Sequence, residues 1–303
     1  MSNIDFDVRP VTGRIGAEIT GVDLAGGLDD DTVGRIRTAL LEHRVVFFRD
    51  QALDSDGLVA FGERFGPVTN GHPTIPGPEY NPLVQEIQYP PGGARANNWH
   101  SDVSFVEHPP LGSVLRAIVV PPYGGDTVWA NTVAGYADLT PEFRALADLL
   151  WAVHSNDFDY QVANAVAGVD RDSLEEFQSK FASTVFKTRH PVVQVHPETG
   201  ERAFLLGAFA KAIEGLPSAD SQRLLAIFQE SITKPENTVR WRWSPGDVAF
   251  WDNRTTQHYG VADFGDLPRR HERITISGGV PVSVEGRPSE SLVGSDASFT
   301  RAA

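Results

Sequence analysis

Short apolar or alternating runs, each closed by glycine or proline, set the strongest limit on how this chain folds. Val45-Val46-Phe47-Phe48 is a continuous apolar run of the kind carried by a strand buried on both faces. Residues 111–120 read as a strand through Val114, Leu115, Ile118 and Val119. The turn Pro121-Pro122-Tyr123-Gly124-Gly125 closes it, and Val128-Trp129-Ala130 resumes extended structure. Residues 190–195 and 203–206 flank Pro197-Glu198-Thr199-Gly200, the pattern of a hairpin. Further strands are expected at Val239–Trp243, Asp247–Trp251 and Arg273–Ser277, with short glycine-broken strands over 11–28. Many short strands with glycine and proline turns predict a β-sandwich or jelly roll with its helices packed outside.

Four helices are legible. Asp29-Asp30-Asp31 opens one with anionic caps that suit the N-terminal dipole, and Ile36, Leu40 and Leu41 share a face of it. A second is expected from about Ser55 to Phe65. Pro141 to Leu150 begins with a proline and keeps Phe143, Leu146, Leu149 and Leu150 on one side. The last spans about Ser218 to Ile232. Residues 66–98 are rich in proline, glycine and asparagine and read as a long functional loop; 156–188 read as a second, polar excursion or lid. No repeat, composition shift or linker divides the chain. One domain is therefore expected over 1–303, with a core of about 11–287 and a disordered tail over 288–303.

The chain has 303 residues, 41% of them hydrophobic, enough for a sizeable core. Its net charge of -14 argues against nucleic acid and anionic membrane surfaces as partners, since both demand clustered positive charge. With no cysteine, disulfides, thiolate metal sites, iron–sulfur clusters and cysteine nucleophiles are excluded. No secretion signal or membrane-length apolar run is evident, so a cytoplasmic protein is expected. Without such a signal the sequon Asn253-Arg254-Thr255 carries little weight. No phosphate-binding glycine motif is present.

His100-Ser101-Asp102 is the pattern with chemistry in it. Alternate side chains share a face in extended structure, so His100 and Asp102 can point at one ion. His258, after the apolar run Val248-Ala249-Phe250-Trp251 and a turn at Asp252-Asn253-Arg254, is the best third ligand. Two histidines and one carboxylate form the facial triad of non-haem Fe(II) oxygenases. A hydrogen-bonded His–Asp pair on a surface loop is the alternative. Arg273 and Thr275 share the strand face opposite Ile274 and Ile276, and an inward arginine needs an anionic partner. The alternative there is a solvated basic turn, Arg269-Arg270-His271. Trp241 and Trp243 read as core, His154, His190 and His196 as structural or exposed, and Glu175-Glu176 as a solvated helix face.

Several longer segments point to a family. They are Asn98–Phe105, Gly124–Trp129, Pro245–Arg254, Thr256-Gln257-His258 and the pair Arg269 and Arg273. Together, from about Gly13 to Val280, they resemble the taurine dioxygenase family, and the alkylsulfatase branch most closely through Arg44–Phe48, Val114–Ala117 and His196–Arg202. The resemblance implies a mainly β fold with flanking helices around a double-stranded β-helix (jelly-roll) core. It implies Fe(II), with 2-oxoglutarate and O2 as co-substrates. Carried over by position, His100, Asp102 and His258 become the metal ligands. Thr127 and Arg269 become the grip on the distal carboxylate of 2-oxoglutarate, and Arg273 lies near the co-substrate and the acidic end of the substrate. His72, Val103 and Phe209 become substrate neighbours.

The chain departs from taurine dioxygenase at Ile75 and Ala96, where that enzyme has polar residues. Both changes remove partners for an amine, and a desolvated ammonium without partners is penalised. An apolar tail with an anionic head fits better, with an alkyl sulfate ester first and a sulfonate or carboxylate as alternatives. The resemblance also implies a homo-oligomer, a dimer or tetramer. Two other classes are compatible with the bare triad: a zinc hydrolase and a cupin-like binding protein with a structural metal.

Overall fold

The computed structural model describes residues 6–88, 96–157, 179 and 181–300. In its first half β1 (Asp7–Pro10), β2 (Ala17–Thr20), α1 (Asp30–His43), β3 (Val45–Phe48), α2 (Ser55–Glu63) and β4 (Gln85–Gln88) come in order. β5 (Gly112–Val119), β6 (Thr127–Asn131), α3 (Thr132–Ala137), α4 (Pro141–Leu149) and β7 (Trp151–Ser155) follow. Next are β8 (Lys187–Pro191), β9 (Val193–Val195), β10 (Arg202–Phe204), β11 (Ala210–Ile213) and α5 (Ser218–Ile232). β12 (Thr238–Trp241), β13 (Val248–Asp252), β14 (Thr256–Gly260), β15 (Arg270–Ile276) and β16 (Glu290–Val293) complete the chain. The fold is mainly β with few helices.

A seven-stranded sheet, in the order β1-β2-β3-β13-β5-β15-β4, organises the molecule. All four side chains of β3 are buried, as its unbroken apolar run requires. Alternation sorts the sheet's residues between two cores. Val46, Phe48, Val114, Val248, Phe250, Ile274 and Ile276 face α1 and α2, where Ile36, Leu40, Leu58 and Phe61 meet them. Val45, Phe47, Leu115, Ala249 and Trp251 face the other way, onto Trp129, Val239, Trp241 and Trp243. That second core joins the large sheet to a three-stranded sheet, β12-β6-β14. Phe47 stacks on Trp241 with centroids 4.0 Å apart, so the two tryptophans are core residues as read. The four-stranded sheet β11-β7-β8-β16 and the hairpin β9–β10 complete the β structure among the described residues.

The local signals act as expected. Asp29 accepts the Thr32 N–H at 2.8 Å and Asp54 the Gly57 N–H at 2.7 Å, capping α1 and α2. The hairpin read around Pro197–Gly200 pairs Val193–Val195 with Arg202–Phe204. No helix among the described residues is long and apolar enough to cross a membrane.

Two expectations need correction, and a third falls partly outside the described residues. The stretch 66–98 is not all loop, since β4 pairs with β15. Part of the 156–188 excursion, including Glu175 and Glu176, lies outside the described residues. Residues 288–300 are not a disordered tail: β16 pairs with β8, and Phe299 is buried, its carbonyl accepting the Asn70 N–H at 3.0 Å. This segment has no periodicity of its own because distant strands supply its order.

Candidate metal centre

Hairpin β13–β14 grips the first ligand segment at successive residues. His258 on β14 forms an isolated antiparallel bridge with His100, with N–H···O bonds of 2.8 and 3.1 Å. The Ser101 hydroxyl donates to the Thr256 carbonyl at 2.8 Å. Asp102 is then held by Asn253, in the turn between the two strands: its N–H donates to Asn253 Oδ1 at 2.7 Å, and its carbonyl accepts from Nδ2 at 3.0 Å. Gly207 backs this segment. A Cβ there would stand 2.9 Å from the Trp99 carbonyl oxygen and 3.0 Å from His100 Cα, and its φ of +119° also demands glycine.

The pair does not converge by strand alternation, as the spacing suggested. Only His100 pairs with β14, and the chain turns at Asp102. Val103 next to it has φ +52°, a conformation rare for a β-branched residue and costing of order 1–3 kcal/mol. The turn aims the Asp102 carboxylate at the two histidines and leaves the Val103 side chain in an apolar cluster.

His100 Nε2 lies 3.9 Å and His258 Nε2 3.7 Å from Asp102 Oδ1, too far for direct hydrogen bonds. One donor atom from each of the three residues falls within 4.8 Å of the others, and all three residues are buried. His100 Nδ1 sits 2.8 Å from the Asn98 carbonyl and donates to it, leaving the Nε2 lone pair toward the centre. Burial depresses both imidazole pKa values, keeping the rings neutral. Burial would raise the carboxyl of Asp102. The Arg273 guanidinium, the two histidines and the Ser113 hydroxyl, donating at 2.7 Å, outweigh it and hold the group well below the usual range. Two neutral imidazoles and one ionised carboxylate converging from separate segments fit a divalent metal, and the donor set fits Fe(II).

Arg273 projects from β15 on the face opposite Ile274 and Ile276, as the alternation predicted. Its guanidinium contacts Asp102 Oδ1 and Gln85 Oε1, so it is not on a solvated turn. Arg269 is buried just before β15 and donates Nε–H to the Gly125 carbonyl at 3.1 Å. Thr127, two residues beyond Gly125, is buried, and its hydroxyl accepts from Trp243 Nε1 at 3.0 Å.

The three expected substrate neighbours share one apolar region. Val103 packs with Phe105, Val106, Phe181, Phe186 and Phe299, with Ile75 and Phe209 against them. The Phe209 ring is 5.0 Å from Phe105 and 6.0 Å from His100, centroid to centroid. His72 lies 5.3 Å from Phe181. Its Nδ1 accepts the N–H groups of Thr74 and Ile75 at 3.2 Å, so the ring proton sits on Nε2. Burial, reinforced by the Arg273 charge and opposed by Asp102, pushes its pKa down to about 3, so the ring is neutral.

His154, His190 and His196 are all buried and structural. Sequence reasoning missed Asn253, Ser113, Gln85, Phe181 and Phe299. Asn253 was visible in a turn between two strands and within the Pro245–Arg254 segment, but without a role at the site. The others carry no local signal, because a side chain that meets the site through the fold has no sequence pattern of its own.

A sequence model of the taurine catabolism dioxygenase TauD, TfdA family matches residues 7–275. An α-ketoglutarate-dependent sulfate ester dioxygenase from Pseudomonas putida is 52% identical over 94% of this chain and 94% of its own. An alkylsulfatase from Acinetobacter baylyi is 46% identical over 97% of this chain and 92% of its own. The crystal structure described as a putative α-ketoglutarate-dependent taurine dioxygenase from Burkholderia xenovorans superposes with a TM-score of 0.82 at 40% identity, covering 96% of this chain and 99% of that one.

Proposed function

Because the chain belongs to the taurine catabolism dioxygenase TauD, TfdA family, we propose that this 2-oxoglutarate-dependent dioxygenase oxidises an alkyl sulfate ester at the carbon bearing the sulfate. The observation that carries the reading is one site with two contrasting ends. His100, Asp102, His258 and Arg273 make the polar end, and the cluster around Val103, Phe105 and Phe209 makes the apolar one. An alkyl sulfate has the same two parts. The sulfate ester and alkylsulfatase activities named for the two relatives support it.

His100, Asp102 and His258 would hold Fe(II), which with 2-oxoglutarate and O2 supplies the oxidising power to replace C–H by C–O–H, the co-substrate leaving as succinate and CO2. A carboxylate at position 102, where a halogenase needs a vacant site for halide, favours hydroxylation. The chain's other residues bind, orient and exclude water. Arg269 and Thr127 grip the distal carboxylate of 2-oxoglutarate. Arg273 offers its guanidinium to the anionic groups nearest Asp102. His72, neutral with its proton on Nε2, is a donor for a sulfate oxygen that adds no second charge. The phenylalanines desolvate the alkyl tail, at about 25 cal/mol per Å² buried. Hydroxylation at the ester carbon makes a hemiacetal-like sulfate, which collapses to an aldehyde and inorganic sulfate.

The large and three-stranded sheets, sharing a core beside the metal residues, support a double-stranded β-helix within a single catalytic domain. A dimer or tetramer is the expected assembly, which light scattering tests. The activity test supplies Fe(II), 2-oxoglutarate and O2 with alkyl sulfates of graded length, taurine and an aryloxyalkanoate, and measures succinate and free sulfate. Equimolar succinate and sulfate from alkyl sulfates is the expected result. Turnover of taurine or the carboxylate in preference to every sulfate ester overturns the substrate reading.

A further inference from the structure

We propose that Asn253 is a positioning residue that holds the Asp102 carboxylate toward the metal by clamping the strained turn behind it. The role rests on the reading of His100, Asp102 and His258 as metal ligands. Asn253 is 2% exposed, and its side chain makes three hydrogen bonds that join two chain segments. Oδ1 accepts the Asp102 N–H, while Nδ2 donates to the carbonyls of Asp102 and of Pro110, the latter at 3.1 Å. Its own backbone N–H donates to the Leu111 carbonyl at 3.0 Å. One carboxamide thus bonds both peptide groups flanking the Asp102 Cα and ties them to the entry of β5.

That grip explains how Val103 keeps a φ of +52°. With the carbonyl of Asp102 pinned, the Asp102–Val103 peptide cannot rotate to relieve the valine without breaking a buried hydrogen bond. The turn bearing Asn253 is itself braced. His196 Nε2 donates to Asp252 Oδ2 at 3.0 Å, since its Nδ1 accepts two backbone N–H groups. Arg254 bonds both oxygens of Asp252, at 2.9 and 2.7 Å. Because the same hairpin carries His258, Asn253 also fixes Asp102 relative to the third ligand. Only an amide does this: aspartate has the same shape but no donor, and would face two carbonyls with a negative charge.

The test is Co(II) titration of the apo protein by calorimetry, with near-UV circular dichroism on the same samples. N253A and N253D are expected to stay folded and to bind Co(II) about 10–100-fold more weakly, the usual effect of losing a group that orients a ligand. Adding V103G to N253A is expected to recover most of the loss, because glycine adopts positive φ freely. A residue that merely stabilised the fold would show no such rescue. Unchanged Co(II) affinity in folded N253A or N253D overturns the role, as does a loss untouched by V103G. If N253A unfolds, N253S, whose small hydroxyl can pair with one of the freed backbone groups, carries the same measurement. Wild-type protein that binds no Co(II) overturns the metal-centre reading itself, and this role with it.

Discussion

Arg273 lays its guanidinium on Asp102 Oδ1, the same oxygen that stands 3.9 Å from His100 Nε2 and 3.7 Å from His258 Nε2. Asp102 therefore faces two positive partners, the proposed metal and a fixed guanidinium, and replacing Asp102 or Arg273 alone strands a buried charge.

Asp102→Ala is expected to destabilise the apo protein by about 3–5 kcal/mol, since Arg273 stays buried with Gln85 as its remaining side-chain hydrogen-bond acceptor. Arg273→Met has a similar cost from the other side. The double variant should recover much of the sum, because no buried charge is left behind. Urea denaturation of the four apo proteins measures the cycle, and strict additivity would count against the pairing.

For Arg269→Ala, the apparent affinity for 2-oxoglutarate is expected to fall about 10–100-fold, the range for a lost charge-assisted hydrogen bond. Fe(II) affinity should change little, because Arg269 lies outside the three-residue group and its Nε–H is held by the Gly125 carbonyl. Separate titrations of metal and co-substrate decide it. Equal weakening of both would remove Arg269 from the co-substrate site.

Acid sensitivity is expected from His154 and His190, whose rings pack edge to face 4.9 Å apart. Burial depresses both pKa values, that of His190 from 6.5 to about 4. In acid the unfolded chain then binds more protons than the folded one. Stability should be complete above about pH 6.5 and fall as pH drops toward 4, by up to about 1.4 kcal/mol per pH unit for each ring. Denaturation midpoints across that window test this; His190→Gln should flatten the slope by about one proton.

Phe299→Ala is expected to cost about 3–5 kcal/mol, although it lies only four residues from the chain end. Its ring belongs to the cluster of Val103, Phe105 and Phe181, so the loss should be accompanied by weaker binding of long-chain sulfates. Chemical denaturation and a chain-length series of KM values check the two effects. A variant as stable as wild type would return the segment to the status of a loose tail.

Period and capping are local properties, and they carried α1, α2, α4 and α5 but not the short α3, with the buried β3 run, the β9–β10 hairpin and the inward face of Arg273. The candidate triad was legible for a related reason: metal-ligand chemistry restricts residue type so sharply that a His-x-Asp pair and a later histidine stand out. The route by which they meet was not legible. His100 and Asp102 looked like alternate strand residues, whereas the chain turns between them and the apolar cluster, with Val103 strained.

Sequence alone thus nominated the side chains proposed to carry the chemistry and most of the helices and strands, because those depend on residue type and spacing over a few positions. Tertiary structure alone decided how the groups are aimed. Asn253 lies 151 residues from Asp102, Arg273 171 residues, and Phe299 joins the apolar cluster around Val103 from far along the chain. Burial supplies the physical reason. Only once the sheets and loops exclude water do a lone amide, a guanidinium and a phenyl ring become strong enough to hold a ligand turn in a conformation it would not choose by itself.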